Sequence, residues 1–494
     1  MTDAGPPPTG GAAVTTFQFD PQRTGANRAE TRLTPASVRA GFGRVTAFAP
    51  TLDGDTYAQP LYLPSVMVGG ASRELLFVAT QANTVFALDA LTGETVWRQS
   101  LGAPVPRSRQ PCGNLNSGTG VLGTPVIDPA AGTLYAVSYN SDGGLQFRLH
   151  ALDVATGMER AGYPAPLAPP MSNGSSFDPA PSQQRGALTL NQGRVYVPFG
   201  GLYGDCGLYH GWVVGVDTAN PSSQVSFATP GRGSGIWAVG GGSVDEAGAM
   251  YVATGNSTPL GGHTPGSLGE FVLRLGLGAS GPTFQMGANA DYFSPSNARA
   301  LDLQDLDIGS NGPVVLPAVG SARYLFQAGK AGVAYLLDRA NLGGVGGGDG
   351  TTGEGAFSAR LFAGGVFGAA AAWSDGASTY VFIPGRGSAS GCSARGGVMA
   401  ARVEVSGGAP RLTTAWCSGT ISNPNPPAVS SNGNADGIVW VAGVTPTLRA
   451  YELSTGTEIF SDAPPSVRQW TPLTVAGGKV YVTGRNTVYL YSLR

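Results

Sequence analysis

One motif recurs along this chain and narrows what it can fold into. "TVFALDALTGETVW", from Thr84 to Trp97, reads as an alternating strand, an Asp, a Thr-Gly turn and a second strand ending in Trp. "LHALDVATGMER" (Leu149 to Arg160) repeats its Ala-Leu-Asp-x-x-Thr-Gly core. "LRAYELSTGTEIF" (Leu448 to Phe460) repeats it again, with Glu452 for the Asp and Phe460 for the Trp. Weaker copies are "WVVGVDTAN", "VAYLLDRANLGG" and "NTVYLYSLR". β-rich runs recur along with these copies: "LLFVATQ", "GTLYAVS", "RVYVPFG", "MYVATGN", "YLFQAGK", "STYVFIPG", "IVWVAGV" and "KVYVTGR". A Pro-containing run precedes several of those, as in "QPLYLP", "GTPVID" and "WTPLTV". Strand, turn, strand, turn, strand, Asp-x-x-Thr-Gly turn, strand is a four-stranded antiparallel sheet, the blade of a propeller.

The side chains suit a blade. Alternation in "TVFALD" puts Val85 and Ala87 on one face and Phe86 and Leu88 on the other, so both faces are apolar, as packing between neighbours requires. Asp89 is placed to accept from the amides of its turn, Gly93 can take a positive φ, and Trp97 offers a large surface to the next blade. Eight β-rich runs predict an all-β, eight-bladed β-propeller, with seven the nearest alternative count. The last copy ends at Arg494 after three strands, so "GRVTAFAP" (Gly43 to Pro50) is expected to supply the fourth and close the ring. Residues 17–494 form this single domain, and residues 1–16 read as a flexible linker of small residues and Pro.

Composition supports this and excludes some functions. The chain has 77 Gly and 37 Pro among 494 residues, a level that suggests disorder until weighed against its 42% hydrophobic content. Together they fit many short strands and tight turns. A net charge of −2 with 12% charged residues gives no basic stripe, so nucleic acid is not an expected partner. No apolar run is long enough to span a membrane, and the opening "MTDAGPPPTGGAAVTT" has no signal-peptide pattern. Such linkers often follow the cleavage site of exported proteins, which predicts an extracytoplasmic chain: periplasmic, secreted or a lipoprotein. Cys112, Cys206, Cys392 and Cys417 form no C-x-x-C, which argues against zinc. Of three connectivities, 112–206 with 392–417 is the one expected, and it would mean an oxidising compartment; buried free thiols are the alternative.

"LLFVATQANTVFALDALTGETVWRQSLG" resembles the repeat of pyrroloquinoline quinone (PQQ) propellers, and the likeness runs from about Phe17 onward. That group includes quinoprotein alcohol dehydrogenases and non-catalytic relatives such as the outer-membrane assembly propeller. The resemblance implies a site over the axis, with PQQ and calcium as cofactors. "YVATGNST" puts Asn256 at a calcium-ligand position, "DLQDLDIGSNGPVVL" puts Asp307 at the position of the catalytic base, and "GKAGVAYLLDR" puts Lys330, one of only two lysines, at that of the quinone-contacting basic residue. Other matches fail. The Glu calcium position reads Cys206, with Asp205 beside it. The stacking Trp after Gly-Gly-Gly is missing, though Trp237 lies upstream. An adjacent Cys-Cys pair and a haem-attachment C-x-x-C-H are also absent.

Each candidate also has a plainer reading. Asn256 and Asp307 suit turns, Lys330 suits a bond to Asp307 or to axial carbonyls, and His210 in "YHGW" suits strand packing as well as a polar contact near the axis. The Gly-rich run 342–355 lacks a phosphate-loop Lys-Ser/Thr and reads as a connection. The departures favour an exported, monomeric, non-catalytic binding or scaffold propeller of the cell envelope. Its face would take a protein, glycan or small molecule. The alternative is a PQQ- and calcium-dependent alcohol or sugar dehydrogenase, in which Asp307 is the base, Asn256 and Asp205 hold calcium, and Lys330, His210 and Trp237 contact the cofactor. A polysaccharide-cleaving propeller is a third class, without a convincing carboxylate pair.

Overall fold

In the computed structural model, residues 11–115, 117–347 and 353–494 are described. The first ten residues of the linker read over 1–16, and residues 348–352 of the Gly-rich run, lie outside them. The chain is all-β: eight sheets, each built on four antiparallel strands, arranged as an eight-bladed propeller. Blade 1 runs Leu61–Val68, Ala71–Thr80, Thr84–Asp89 and Thr95–Ser100 in consecutive pairing. Blade 8 takes three strands from the C-terminus and its fourth from Phe42–Arg44, which pairs antiparallel with Val488–Leu493. An N-terminal strand therefore closes the ring as expected, but it is Phe42–Arg44, and of the expected Gly43 to Pro50 only Gly43 and Arg44 lie in it.

The repeated turn does what its residues suggest. Asp89 Oδ1 accepts from the amides of Leu91 and Thr92, both at 3.0 Å, and Gly93 has φ +79°. Asp153 repeats this with Ala155 and Thr156. Trp97 reaches from blade 1 to that second turn, where its Nε1 donates to Val154 O at 3.0 Å. Trp416 makes the same contact from blade 6 to Leu453 O of blade 7, at 2.7 Å. Both expected disulfides, Cys112–Cys206 and Cys392–Cys417, are present.

An N-terminal segment plugs one end of the axis. It bonds in turn to the innermost strand of every blade. Val14 exchanges bonds with Tyr62 of blade 1, and Thr15 O accepts from Ile127 of blade 2. Pro21, Gln22, Thr24 and Gly25 carbonyls accept from Val244, Val315, Ala372 and Val429 of blades 4 to 7. Arg23 covers blade 3 through Leu188 O and Thr189 Oγ1, and Asn27 Nδ2 donates to Val475 O of blade 8. Phe17 lies on the axis, packed with Ala187 of blade 3, Ala369 of blade 6 and Val239 of blade 4. Each inner strand is entered from the opposite end, and there the loops surround a mouth.

Candidate functional site in the axial mouth

Two kinds of segment build the mouth: the residues leading into inner strands, and the loops that follow second strands. The first kind supplies Tyr57, Arg185, Trp237, Asp307, Phe367 and Trp470. Three of them, Arg185, Trp237 and Phe367, stand two residues before the residues that pack on Phe17, so Phe17 is the floor. The second kind supplies Asn256, Lys330 and Arg386, close to the ends of Met250–Ala253, Tyr324–Ala328 and Thr379–Ser388.

Asp307, Lys330 and Trp237 come together. Asp307 is buried; its Oδ2 accepts from Trp237 Nε1 at 3.1 Å and lies 3.2 Å from Lys330 Nζ. Lys330 also bonds exposed Asp305 at 2.7 Å and sits 5.4 Å over the Trp237 ring. Asp307 Oδ1 has no partner among the described residues. Burial raises the Asp307 carboxyl to about 6, against the lowering effect of Lys330. Burial lowers the Lys330 ammonium, but the charges of Asp307 and Asp305 outweigh it and hold it above its ordinary value. A carboxylate near 6 beside a fixed cation suits proton exchange at neutral pH.

The chain approaches itself closely here. A Cβ on Gly255 would lie 2.7 Å from Trp237 Nε1 and 3.0 Å from Asp307 Oδ2, so the strand end must be Gly for this pair to form. The next residue, Asn256, is buried; its carbonyl accepts from Ser234 N at 2.7 Å, and its Nδ2 has no partner among the described residues. Asp205 accepts from Tyr209 OH at 2.5 Å and adds charge felt at Asp307. His210 bonds Thr229 O at 2.9 Å, which fixes its proton on Nδ1, and Ser175 Oγ at 3.3 Å. Among the described residues, no three of His, Cys, Asp and Glu gather as a metal site.

Several mouth residues carried no sequence signal. Glu270 is fully buried near Asp307, with Oε2 accepting from Ile308 N at 2.7 Å and Oε1 without a partner among the described residues. Burial, and then the charge of Asp307, raise its carboxyl well above the ordinary range. Arg185 lies 4.2 Å over Trp470 and 5.5 Å over Trp237, and burial pushes its guanidinium down to about 10. Arg386 lies 4.1 Å over Phe367, whose ring stacks on Trp470 at 6.5 Å. Arg468 pairs with Asp55 beside Tyr57. Elsewhere, Ser138, His150 and Glu159 are linked like a nucleophile, base and acid, at 2.9 and 2.8 Å. Ser138 is fully buried and donates to Asn140, so this is a cross-strand lock within blade 2.

A family model described as outer membrane protein assembly factor BamB matches residues 41–240. No curated protein matches the sequence. Among solved structures, the chain is similar to quinohemoprotein alcohol dehydrogenase from Comamonas testosteroni, with a TM-score of 0.68 at 15% identity over 97% of this chain and 80% of that one. It is also similar to quinohemoprotein alcohol dehydrogenase ADHIIG from Pseudomonas putida HK5, with a TM-score of 0.62 at 16% identity over 97% and 80%. A europium-containing methanol dehydrogenase gives 0.62 at 14% identity, over 98% of both chains. At these identities the likeness concerns fold.

Proposed function

Taking as premise that the chain is a PQQ-like β-propeller, we propose that it is an extracytoplasmic protein whose axial mouth binds a small flat ligand, with Asp307 as proton acceptor toward it. A quinoprotein dehydrogenase acting on an alcohol or sugar is the activity this reading favours. The observation that carries it is Asp307 itself: buried, raised to about 6, set between Lys330 and Trp237, and with one oxygen unpartnered. Two disulfides support export.

PQQ fits the residues present in part. Trp237 offers an indole wall, and Lys330 a cation on that wall. When bound, PQQ would supply the two-electron acceptor that no side chain provides. The chain's own residues hold the ligand over Phe17, keep Lys330 against Asp307, and accept a hydroxyl proton at an Asp307 oxygen. Calcium fits less well. It takes six to eight oxygens, while Asp205 is engaged with Tyr209 and the cation touching Asp307 is Lys330.

The test is calorimetric titration with PQQ, with and without calcium, followed by dye reduction on a panel of alcohols and sugars. The reading expects PQQ binding and a dye-reduction rate that rises as pH passes about 6, because Asp307 accepts a proton only when ionised. Asp307→Asn should remove at least 100-fold of that rate, within the usual range for a general base, and leave PQQ affinity within a few-fold. Binding that is lost without calcium, or in Asn256→Ala, would restore Asn256 and Asp205 as ligands. No binding at high micromolar PQQ would sink the dehydrogenase reading and leave a propeller that binds without catalysis.

A further inference from the structure

Two guanidiniums in the mouth have no acid to answer them. Among the described residues, neither Arg185 nor Arg386 has an ion pair or a side-chain hydrogen bond; each only lies on an aromatic face. Their neighbours are matched, Lys330 by Asp305 and Asp307, and Arg468 by Asp55. The chain also shows how it satisfies a structural guanidinium. Arg23, fully buried, donates to Gly242 O, Thr16 Oγ1, Phe17 O, Leu188 O and Thr189 Oγ1. Arg185, half-buried, has none of this among the described residues, and beside it Trp470 Nε1 is buried with no partner among them. Cation–π contact only partly replaces lost hydration. These groups only donate, so their complement is an acceptor-only oxyanion, of which a carboxylate is the smallest that presents two oxygens in one plane.

The position of Arg185 says more. Asp307 bonds the Nε1 edge of Trp237, and Arg185 lies over the same ring. One small molecule lying across Trp237 would reach both. We propose that Arg185 and Arg386, with Trp470, form a carboxylate-recognition arc that holds the acid group of a hydroxy acid or acidic sugar whose hydroxyl meets Asp307. This rests on the reading of Asp307 as proton acceptor. The same arc would suit a carboxylate of a flat cofactor, and the test separates the two.

The experiment is calorimetry on the whole chain with D-glucuronate, D-glucose and benzene-1,3,5-tricarboxylate, alongside dye reduction with the two sugars after PQQ has been added to the protein. Glucuronate is expected to bind at least ten-fold more tightly than glucose. Arg185→Gln and Arg386→Gln should each remove most of that preference, and Arg185→Lys should restore part of it. A thermal melt of each variant identifies any that fails to fold, and the other Arg then carries the test. Glucuronate binding no better than glucose, or unchanged in both Gln variants, overturns the inference. So does binding of the tricarboxylate alone, which would assign the arc to a cofactor. If glucuronate binds through Arg185 but dye reduction is absent, the carboxylate arc stands and the dehydrogenase reading fails. If dye reduction proceeds with glucose as readily as with glucuronate, only this inference fails.

Discussion

Glu270 is held where a carboxylate is costly. It is fully buried, at φ +62° where non-glycine backbone is strained, and beside a second buried acid. Its folded pKa lies above the unfolded value, so the folded chain keeps a proton that the unfolded chain releases. That stability is complete below about pH 4.3 and falls as pH rises toward the folded pKa. Gln keeps an oxygen for Ile308 N and does not titrate. Glu270→Gln should therefore match the parent at pH 4 and be the more stable of the two at pH 8. Urea denaturation at the two pH values measures this, and a loss of stability at pH 8 would mean that Glu270 is ionised and paired. At this scale the sequence is unevenly readable. Lys330 and Asp307 were visible through their motifs, and Lys330 as one of two lysines. Glu270 in "LGEFVL", Arg185 in "QQRGAL" and Trp470 in "RQWTPL" look like ordinary strand entries. Their roles exist only once separate blades bring them around one axis.

Elements fared better because the device that joins blades is short and repeated. The Trp ending one blade docks on the Asp-x-x-Thr-Gly turn of the next, so both halves can be read locally. A Cβ on Gly157 would lie 2.6 Å from the Trp97 ring, and one on Gly456 would lie 2.6 Å from Trp416. Gly157 also has φ +73°. Gly157→Ala combines backbone strain of about 1–2 kcal/mol with overpacking of about 1–3 kcal/mol, so a loss of about 2–5 kcal/mol is expected by chemical denaturation. Gly143 is the control: φ +72°, with nothing within 4 Å of its Cβ. Gly143→Ala should lose only the backbone share. Equal losses at the two sites would mean that Trp97 yields and the clasp is loose. Among the described residues the Trp clasp is made from blades 1 and 6 and not from blade 4, whose third strand pairs with two short partners, Gly281–Thr283 and Tyr292–Ser294. Irregularity of that kind left eight against seven blades open in the sequence.

At the scale of the whole molecule, the N-terminal plug unites what the repeat builds. A ring of blades has neighbour contacts only, whereas residues 14–27 touch all eight inner strands. The plug has no period, and its partners lie up to several hundred residues away, so nothing local marks it. Val14 and Thr15 bond blades 1 and 2 from within the stretch whose composition reads as linker. The plug also decides where function can sit. With Phe17 across the axis, ligands have access from the Trp237 end, and the floor sets the pocket depth. Phe17 is 1% exposed, and Arg23 lies 5.8 Å over its ring. Phe17→Ala removes a side chain wedged between blades 3, 4 and 6, and the small residues around it, Ala187 and Ala369, cannot fill the gap. A loss of about 3–5 kcal/mol is expected for such a truncation, read as a lower urea midpoint. Ligand affinity in the mouth should fall as well, because Arg185, Trp237 and Phe367 stand two residues from the cavity it opens. A loss below about 1 kcal/mol would show that the blades close around the axis without the plug. The mouth would then owe its geometry to the blade loops alone, and the affinity term would be expected to stay unchanged.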